Sequence, residues 1–206
     1  MKFSAILAGA SLALMAASAH ADVLFSLTGP TDEVASPGEI SAALDSAGGP
    51  GQALFTIKAF GSLDGANVPD GNSDVFTLTL NGVDILSGSW NLGGGGQNIV
   101  FFAPPGTTAV PQSVDFGGGT LKVATTLDLI KGTNTLKFAF ATANPKGLTD
   151  EGWALQDVSV TGAPLGASVP EPAAWALMVG GFFASGAAMR SARRSPPRNG
   201  EGHSQK

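Results

Sequence analysis

The sequence predicts an all-β fold, an antiparallel two-layer β-sandwich, lying between an N-terminal signal helix and a C-terminal membrane-spanning helix. Several short runs of apolar residues alternate at period two, as in Val75-Phe76-Thr77-Leu78-Thr79-Leu80, where Phe76, Leu78 and Leu80 share a face. The runs are separated by turn chemistry drawn from 29 glycines and 13 prolines. Between the two terminal apolar segments no stretch sustains the 3.6-residue period of an amphipathic helix.

Met1 to Ala21 reads as a secretory signal peptide: Lys2 supplies the positive start, Ile6 to Ala17 the apolar stretch, and Ala19-His20-Ala21 the small-x-small cleavage site. The mature chain is then expected to begin at Asp22, and secretion translocon and signal peptidase are its first partners. Val23 to Leu27 is a first strand. Thr28 to Pro50, rich in Gly, Pro, Ser and Asp, reads mostly as loop, with one helical turn around Ile40 to Leu44. Ala53 to Phe60 alternates, with Phe55, Ile57 and Ala59 on one side and Leu54, Thr56, Lys58 and Phe60 on the other. Ser62 to Asn72 is turn chemistry. Asn81-Gly82 joins Val75–Leu80 to Val83–Leu86 and predicts a type I′ hairpin, because both central residues of that turn need positive φ. After Trp90 and Leu92, Gly93 to Gly96 is loop, and Ile99 to Ala103 is a short strand ended by Pro104-Pro105. Leu121–Leu129 and Thr135–Thr142 predict a second hairpin across Lys131-Gly132-Thr133-Asn134, and Trp153 to Thr161 is the last strand.

The expected β-sandwich thus occupies residues 22–165, a size that can bury a core without staples. The sequence contains no cysteine and no tyrosine, no arginine before Arg190, and its two histidines, His20 and His203, lie outside that domain. Cysteine nucleophiles, Ser-His-Asp triads and histidine-ligated zinc or copper sites therefore have no residues to build them. From Asp22 to Asp157 fourteen acidic residues face five lysines, hence a net charge of −9 where the full chain carries −5. Such a surface repels nucleic acid and anionic lipid.

Few residues offer chemistry. Asp70-Gly71-Asn72-Ser73-Asp74 sets Asp70, Asn72 and Asp74 at alternate positions in a turn, as in the first half of a calcium loop. Val75 and Asn81 stand where an EF-hand needs Gly and Glu, which excludes that motif and leaves a loop site or a plain Asp/Asn/Gly turn. Trp90 and Trp153 are candidates for stacking on a sugar ring, against a competing placement in the core. Asp150 and Glu151 are adjacent and make a poor glycosidase pair if a strand already begins there.

Residues 166–194 combine three features in order: Val169-Pro170-Glu171-Pro172, an uncharged span from Ala173 to Met189, and the basic cluster Arg190, Arg193 and Arg194. At about 1.5 Å rise per residue the span is at the short end of what crosses a bilayer, and the arginines orient it with its C-terminal end inside. This arrangement resembles the PEP-CTERM sorting signal of exported Gram-negative proteins. The resemblance implies recognition by a membrane-embedded exosortase, processing near the Pro-Glu-Pro element, a transient or permanent inner-membrane anchor, and onward transfer to the cell surface or extracellular matrix. Residues 195–206 continue beyond the arginines as a polar tail, expected to be disordered and cytoplasmic. Separately, Asp150-Glu151-Gly152-Trp153-Ala154-Leu155-Gln156-Asp157-Val158-Ser159-Val160 resembles the closing strand of jelly-roll domains of the carbohydrate-binding type. That resemblance implies a structural calcium, with Asp150, Glu151 and Asp157 as the residues to consider. The functional expectation is a non-enzymatic structural or adhesive matrix component. A module binding the cell's own exopolysaccharide is the alternative, and a carboxylate-dependent secreted hydrolase the second.

Overall fold

The structure, a computed structural model, describes residues 21–69, 71–113 and 117–166. Strand β1 (Asp22–Leu27) begins the folded domain, followed by β2 (Val34–Ala35), β3 (Gly38–Ala59), β4 (Val75–Leu80), β5 (Val83–Ser89), β6 (Ile99–Phe102), β7 (Thr108–Ser113) and β8 (Gly119–Ala141). A single short helix, α1 (Leu148–Glu151), leads into β9 (Gly152–Gly162). Every ladder is antiparallel. Almost no helix interrupts the sheet, as expected for a β-sandwich. Among the described residues, the buried apolar ones lie between Leu44 and Val160. The signal peptide, the span 173–189, the sorting motif with its arginines and the tail lie outside the described residues. Among the described residues no helix is long and apolar enough to cross a membrane.

Two long strands, β3 and β8, hold the two layers together. They pair from Gly38↔Phe140 to Ala59↔Gly119 in one unbroken register. In one layer β6, β5 and β4 continue outward from the C-terminal half of β8. In the other, β9 and β1 extend from the C-terminal half of β3, and β7 pairs with the N-terminal half of β8. The layers meet through aromatic rings: Phe55 of β3 lies 5.0 Å from Phe138 of β8 and 6.0 Å from Phe76 of β4, and Phe140 lies 5.1 Å from Trp153 of β9.

The ribbon changes layers where the inward set changes parity. Leu44 and Ser46 point inward before the crossing and Ala53, Phe55, Ile57 and Ala59 after it; on β8 the set passes from Leu127 and Leu129 to Leu136, Phe138 and Phe140. Gly48, Gly49 and Gly132 supply the turnover with φ of 91°, 93° and 103°, values that side-chain-bearing residues rarely adopt. The ladder loses only the Gly48/Ile130 rung there. Side chains satisfy the backbone groups so released: Gly48 N–H donates to Ser46 Oγ (3.0 Å), Ile130 N–H to Asn134 Oδ1 (2.9 Å), and Asn134 Nδ2 to the Ile130 carbonyl (2.9 Å). Ser46 and Asn134 are fully buried.

Two sequence expectations are corrected here. Ile40 to Leu44 is not a helical turn: Ile40, Ala42 and Leu44 alternate with exposed Glu39, Ser41 and Ala43 along β3. Leu121–Leu129 and Thr135–Thr142 are not the arms of a hairpin, because Lys131 to Asn134 continue one strand against Asp45–Ala47 and Leu44 of β3. The Asn81-Gly82 hairpin forms as expected, with Leu80 opposite Val83 and φ of 52° and 82° at the turn.

Candidate metal centre

Two segments that are distant in sequence, the β3–β4 connection and α1, deliver three carboxylates to one buried point. Asp64 lies in the β3–β4 connection, Asp74 immediately precedes β4, and Glu151 ends α1 just before β9. Each offers an oxygen within 4.8 Å of the others'. Asp74 and Glu151 are 0% exposed and Asp64 6%. Burying three carboxylates together is costly unless each is satisfied or a cation joins them.

Asp74 is held most tightly. Its Oδ1 accepts the Ser36 hydroxyl (2.7 Å) and its Oδ2 the Asp64 N–H (2.8 Å), while its own N–H donates to the Asp64 carbonyl (2.9 Å). Ser89 Oγ ties the two loops again, lying 2.8 Å from the Asp74 carbonyl and 3.2 Å from that of Asp64. Burial pushes the Asp74 carboxyl up to about 6, against the lowering effect of the two hydrogen bonds it accepts; Glu151 and Asp64 add repulsion in the same upward direction. Close approach of backbone seals the site. A Cβ on Gly94 would stand 2.1 Å from Asp64 Oδ1, and one on Gly61 1.9 Å from the Asp150 carbonyl, so both positions require glycine.

Glu151 is the anomaly. Its Oε2 accepts the Lys146 N–H (3.0 Å), but Oε1 is buried without a hydrogen bond. The Lys146 ammonium lies 4.0 Å from that oxygen and 3.7 Å from Asp64 Oδ2 and Asp150 Oδ2, and Ser62 Oγ donates to Asp150 Oδ1 (2.8 Å). A buried acceptor left without a donor is rare in folded proteins. An all-oxygen set with no sulfur or imidazole is the donor chemistry that suits a hard divalent cation such as Ca²⁺.

Of the residues expected from sequence, Asp74 belongs to this cluster, and so does Glu151, which the closing-strand resemblance pointed to. Asn72 is half-buried in the same loop as Asp74, and Asp70 lies outside the described residues. Asp157 sits elsewhere, exposed at a bulge of β9 with φ of 53° and accepting Gln156 Nε2 at 3.3 Å. Asp64 was missed. Its only sequence signal is an Asp-Gly in a loop, which is indistinguishable from turn chemistry.

Trp90 and Trp153 are corrected. They are 3% and 0% exposed; Trp90 packs edge-on to Phe76, and Trp153 packs on Phe140 with its Nε1 donating to the Ala35 carbonyl (3.2 Å). Neither offers a face to a sugar, because each closes the core beneath a strand. Exposed aromatic surface is found instead at Phe60, Phe101 and Phe102, at 40%, 50% and 47%. A separate concavity, lined by Leu80, Val83, Ile85, Leu127 and Ile130 together with polar Asn81, Thr126 and Asp128, contains none of the three clustered carboxylates.

No family model matches the chain, and no curated protein matches it. Among solved structures it is similar to the C-terminal domain of EclA, described as a sugar-binding protein, at 14% identity and a TM-score of 0.36, over 77% of this chain and 89% of that one. It is similar also to the CBM35 domain of Cellvibrio japonicus Abf62, at 16% identity and a TM-score of 0.33, over 71% of this chain and 90% of that one. At such identities and scores the likeness says nothing of ligand or activity.

Proposed function

We propose that the chain is an exported, non-enzymatic component of the cell envelope or extracellular matrix, a β-sandwich whose loops are pinned by a structural calcium ion held by Asp64, Asp74 and Glu151. Burial is the observation that carries this reading: at 0–6% exposure these carboxylates cannot meet a substrate, yet one of them lacks a hydrogen-bond donor. A bound Ca²⁺ supplies the charge that three adjacent carboxylates need, and it joins the β3–β4 connection to α1. Export and delivery rest on the signal peptide and on the PEP-CTERM-like order of Val169–Pro172, apolar span and arginines, which supports processing by an exosortase.

Two measurements test the two halves. With Ca²⁺ at about a hundred times its dissociation constant, mass action adds roughly 2.7 kcal/mol to the folded state. The melting temperature of the purified domain, residues 22–167, then rises by several degrees over metal-free buffer; an unchanged midpoint removes the ion from the proposal. Intact-mass spectrometry of fractions from the native host, with and without its exosortase, tests the sorting half. Loss of everything beyond the Pro-Glu-Pro region, dependent on that enzyme, is expected, whereas an uncleaved chain retaining Lys206 in the inner membrane rejects it.

Carbohydrate binding is the second reading, favoured by the exposed rings of Phe101 and Phe102 on β6. Retention on exopolysaccharide that disappears in Phe101→Ala or Phe102→Ala would establish it, and no retention by the unmodified domain would end it.

A further inference from the structure

We propose that Lys146 is a resident counter-ion of the carboxylate site, one that a divalent cation must expel. The inference rests on the calcium reading above and adds a competition to it. Lys146 Nζ lies 3.7 Å from Asp64 Oδ2 and 4.0 Å from Glu151 Oε1, so it stands against two of the three ligands. At these separations its contacts with the two ligands are ion pairs rather than short hydrogen bonds. Two cations cannot share the point: an ammonium in contact with the oxygens that a divalent ion needs repels it in a medium of low dielectric.

The local chain lets the side chain leave without dismantling the site. Lys146 is anchored through its backbone, whose N–H donates to Glu151 Oε2, while its side chain is 34% exposed and has water beside it. Asp150 offers a place to go. Its carboxylate is 43% exposed, lies four residues along from Lys146 and is 3.7 Å from Nζ, at the rim of the buried cluster. Moving outward, the ammonium keeps a carboxylate partner and frees Asp64 and Glu151. Exchange raises the positive charge placed against the three buried carboxylates from one to two.

A competitor built into the site lowers its apparent affinity by the fraction of molecules in which the competitor is seated. The domain would then fill at the high calcium concentrations found outside cells rather than at trace levels, the range in which extracellular calcium modules work. Empty, it keeps a substitute charge and stays folded.

The test is calorimetric titration of Ca²⁺ into the domain 22–167 and into Lys146→Met and Lys146→Arg, alongside amine-reactive labelling read by mass spectrometry. Lys58, Lys122, Lys131 and Lys137 serve as internal references. Lys146→Met keeps the stem and removes the charge, so its Kd is expected to be at least about tenfold tighter, with Lys146→Arg near the unmodified value. Labelling of Lys146 should rise severalfold on adding Ca²⁺ while the four references stay constant. Binding that appears only in Lys146→Met also supports the competition. Ca²⁺ binding with equal Kd in all three proteins and unchanged Lys146 labelling overturns it and leaves the calcium site standing. No binding in any of them, with circular dichroism showing all three folded, overturns both.

Discussion

The residues that matter most to this fold are polar and buried, and they are the ones whose roles are hardest to see in a sequence. Asn134 falls in Lys131-Gly132-Thr133-Asn134, which reads as a hairpin turn, yet its amide replaces the missing ladder partner of Ile130 on both the N–H and the carbonyl side. Replacing it by Leu fills the volume but orphans both groups, and an unsatisfied part-buried group costs about 1–3 kcal/mol. Lower stability by about 2–4 kcal/mol in urea denaturation is expected for Asn134→Leu; a loss under about 0.5 kcal/mol would mean that water replaces the amide. Trp153 makes the complementary case. Its place in an alternating strand is legible, but whether it faces sugar or core depends on the opposing layer, where Phe140 waits 5.1 Å away. Truncation to Ala leaves a large cavity and one unpaired carbonyl, so a stability loss of about 3–5 kcal/mol is expected. Loss of glycan retention in a Trp153→Ala protein whose melting midpoint is unchanged would contradict the buried placement. Asp64 is obscure for a related reason: Asp-Gly in a loop reads as turn chemistry, and Glu151, which it meets, lies too far along the chain for any spacing to announce the pair.

At the scale of elements, local chemistry was legible and the long-range ribbon was not. Asn81-Gly82 announces its hairpin because type I′ geometry is written in two adjacent residues. The alternation of Ala53 to Phe60 likewise separates two faces, and the structure buries the one that carries Phe55, Ile57 and Ala59. Strands β3 and β8 were each broken at their glycines, since glycine in a strand usually signals a turn. Here the partner strand carries the chain through: positive φ at Gly48, Gly49 and Gly132 reverses the inward parity without ending the pairing. Gly49 isolates that requirement, because a Cβ there meets nothing within 4 Å while φ remains 93°. Gly49→Ala should therefore lose stability through the backbone alone, by about 1–3 kcal/mol for a residue forced into a sparsely populated region. Ala43→Gly, on the exposed face of the same strand, is the control and should cost roughly 1 kcal/mol or less. Equal effects at the two positions would show that the crossing imposes no special conformation.

Over the whole molecule, the carboxylate cluster couples folding to protons and, on the proposed calcium reading, to cations. The Asp74 carboxyl stands at about 6 in the folded domain against 3.8 for an unperturbed group, so the folded state holds a proton that the unfolded chain has already lost. Stability in metal-free buffer must then fall as pH rises from about 4 to 6 and level off above, which means that acidifying from pH 7 to pH 5 stabilises. With a folded value near 6 the gain over that interval is about 1 kcal/mol, the larger part of one pH unit's worth of linkage. Asp64, Glu151 and the Lys146 ammonium face the same point, and the two carboxylates push Asp74 in the same direction as burial does. On the proposed calcium reading a divalent ion reverses the sign: bound to the ionised carboxylates it would compete with protons, so in excess Ca²⁺ acidification is expected to remove the stabilisation it confers. Melting temperatures at pH 5 and 7 should therefore cross: higher at pH 5 without the ion, higher at pH 7 with it. Asp74→Asn separates this site from the other carboxylates, because an amide can accept the Asp64 N–H with its oxygen while the Ser36 hydroxyl turns to accept from its nitrogen. That variant should lose most of the metal-free gain on acidification and much of the response to Ca²⁺. A metal-free domain that melts lower at pH 5 than at pH 7, in the parent and in Asp74→Asn alike, would place the dominant titration elsewhere and remove the cluster from control of stability.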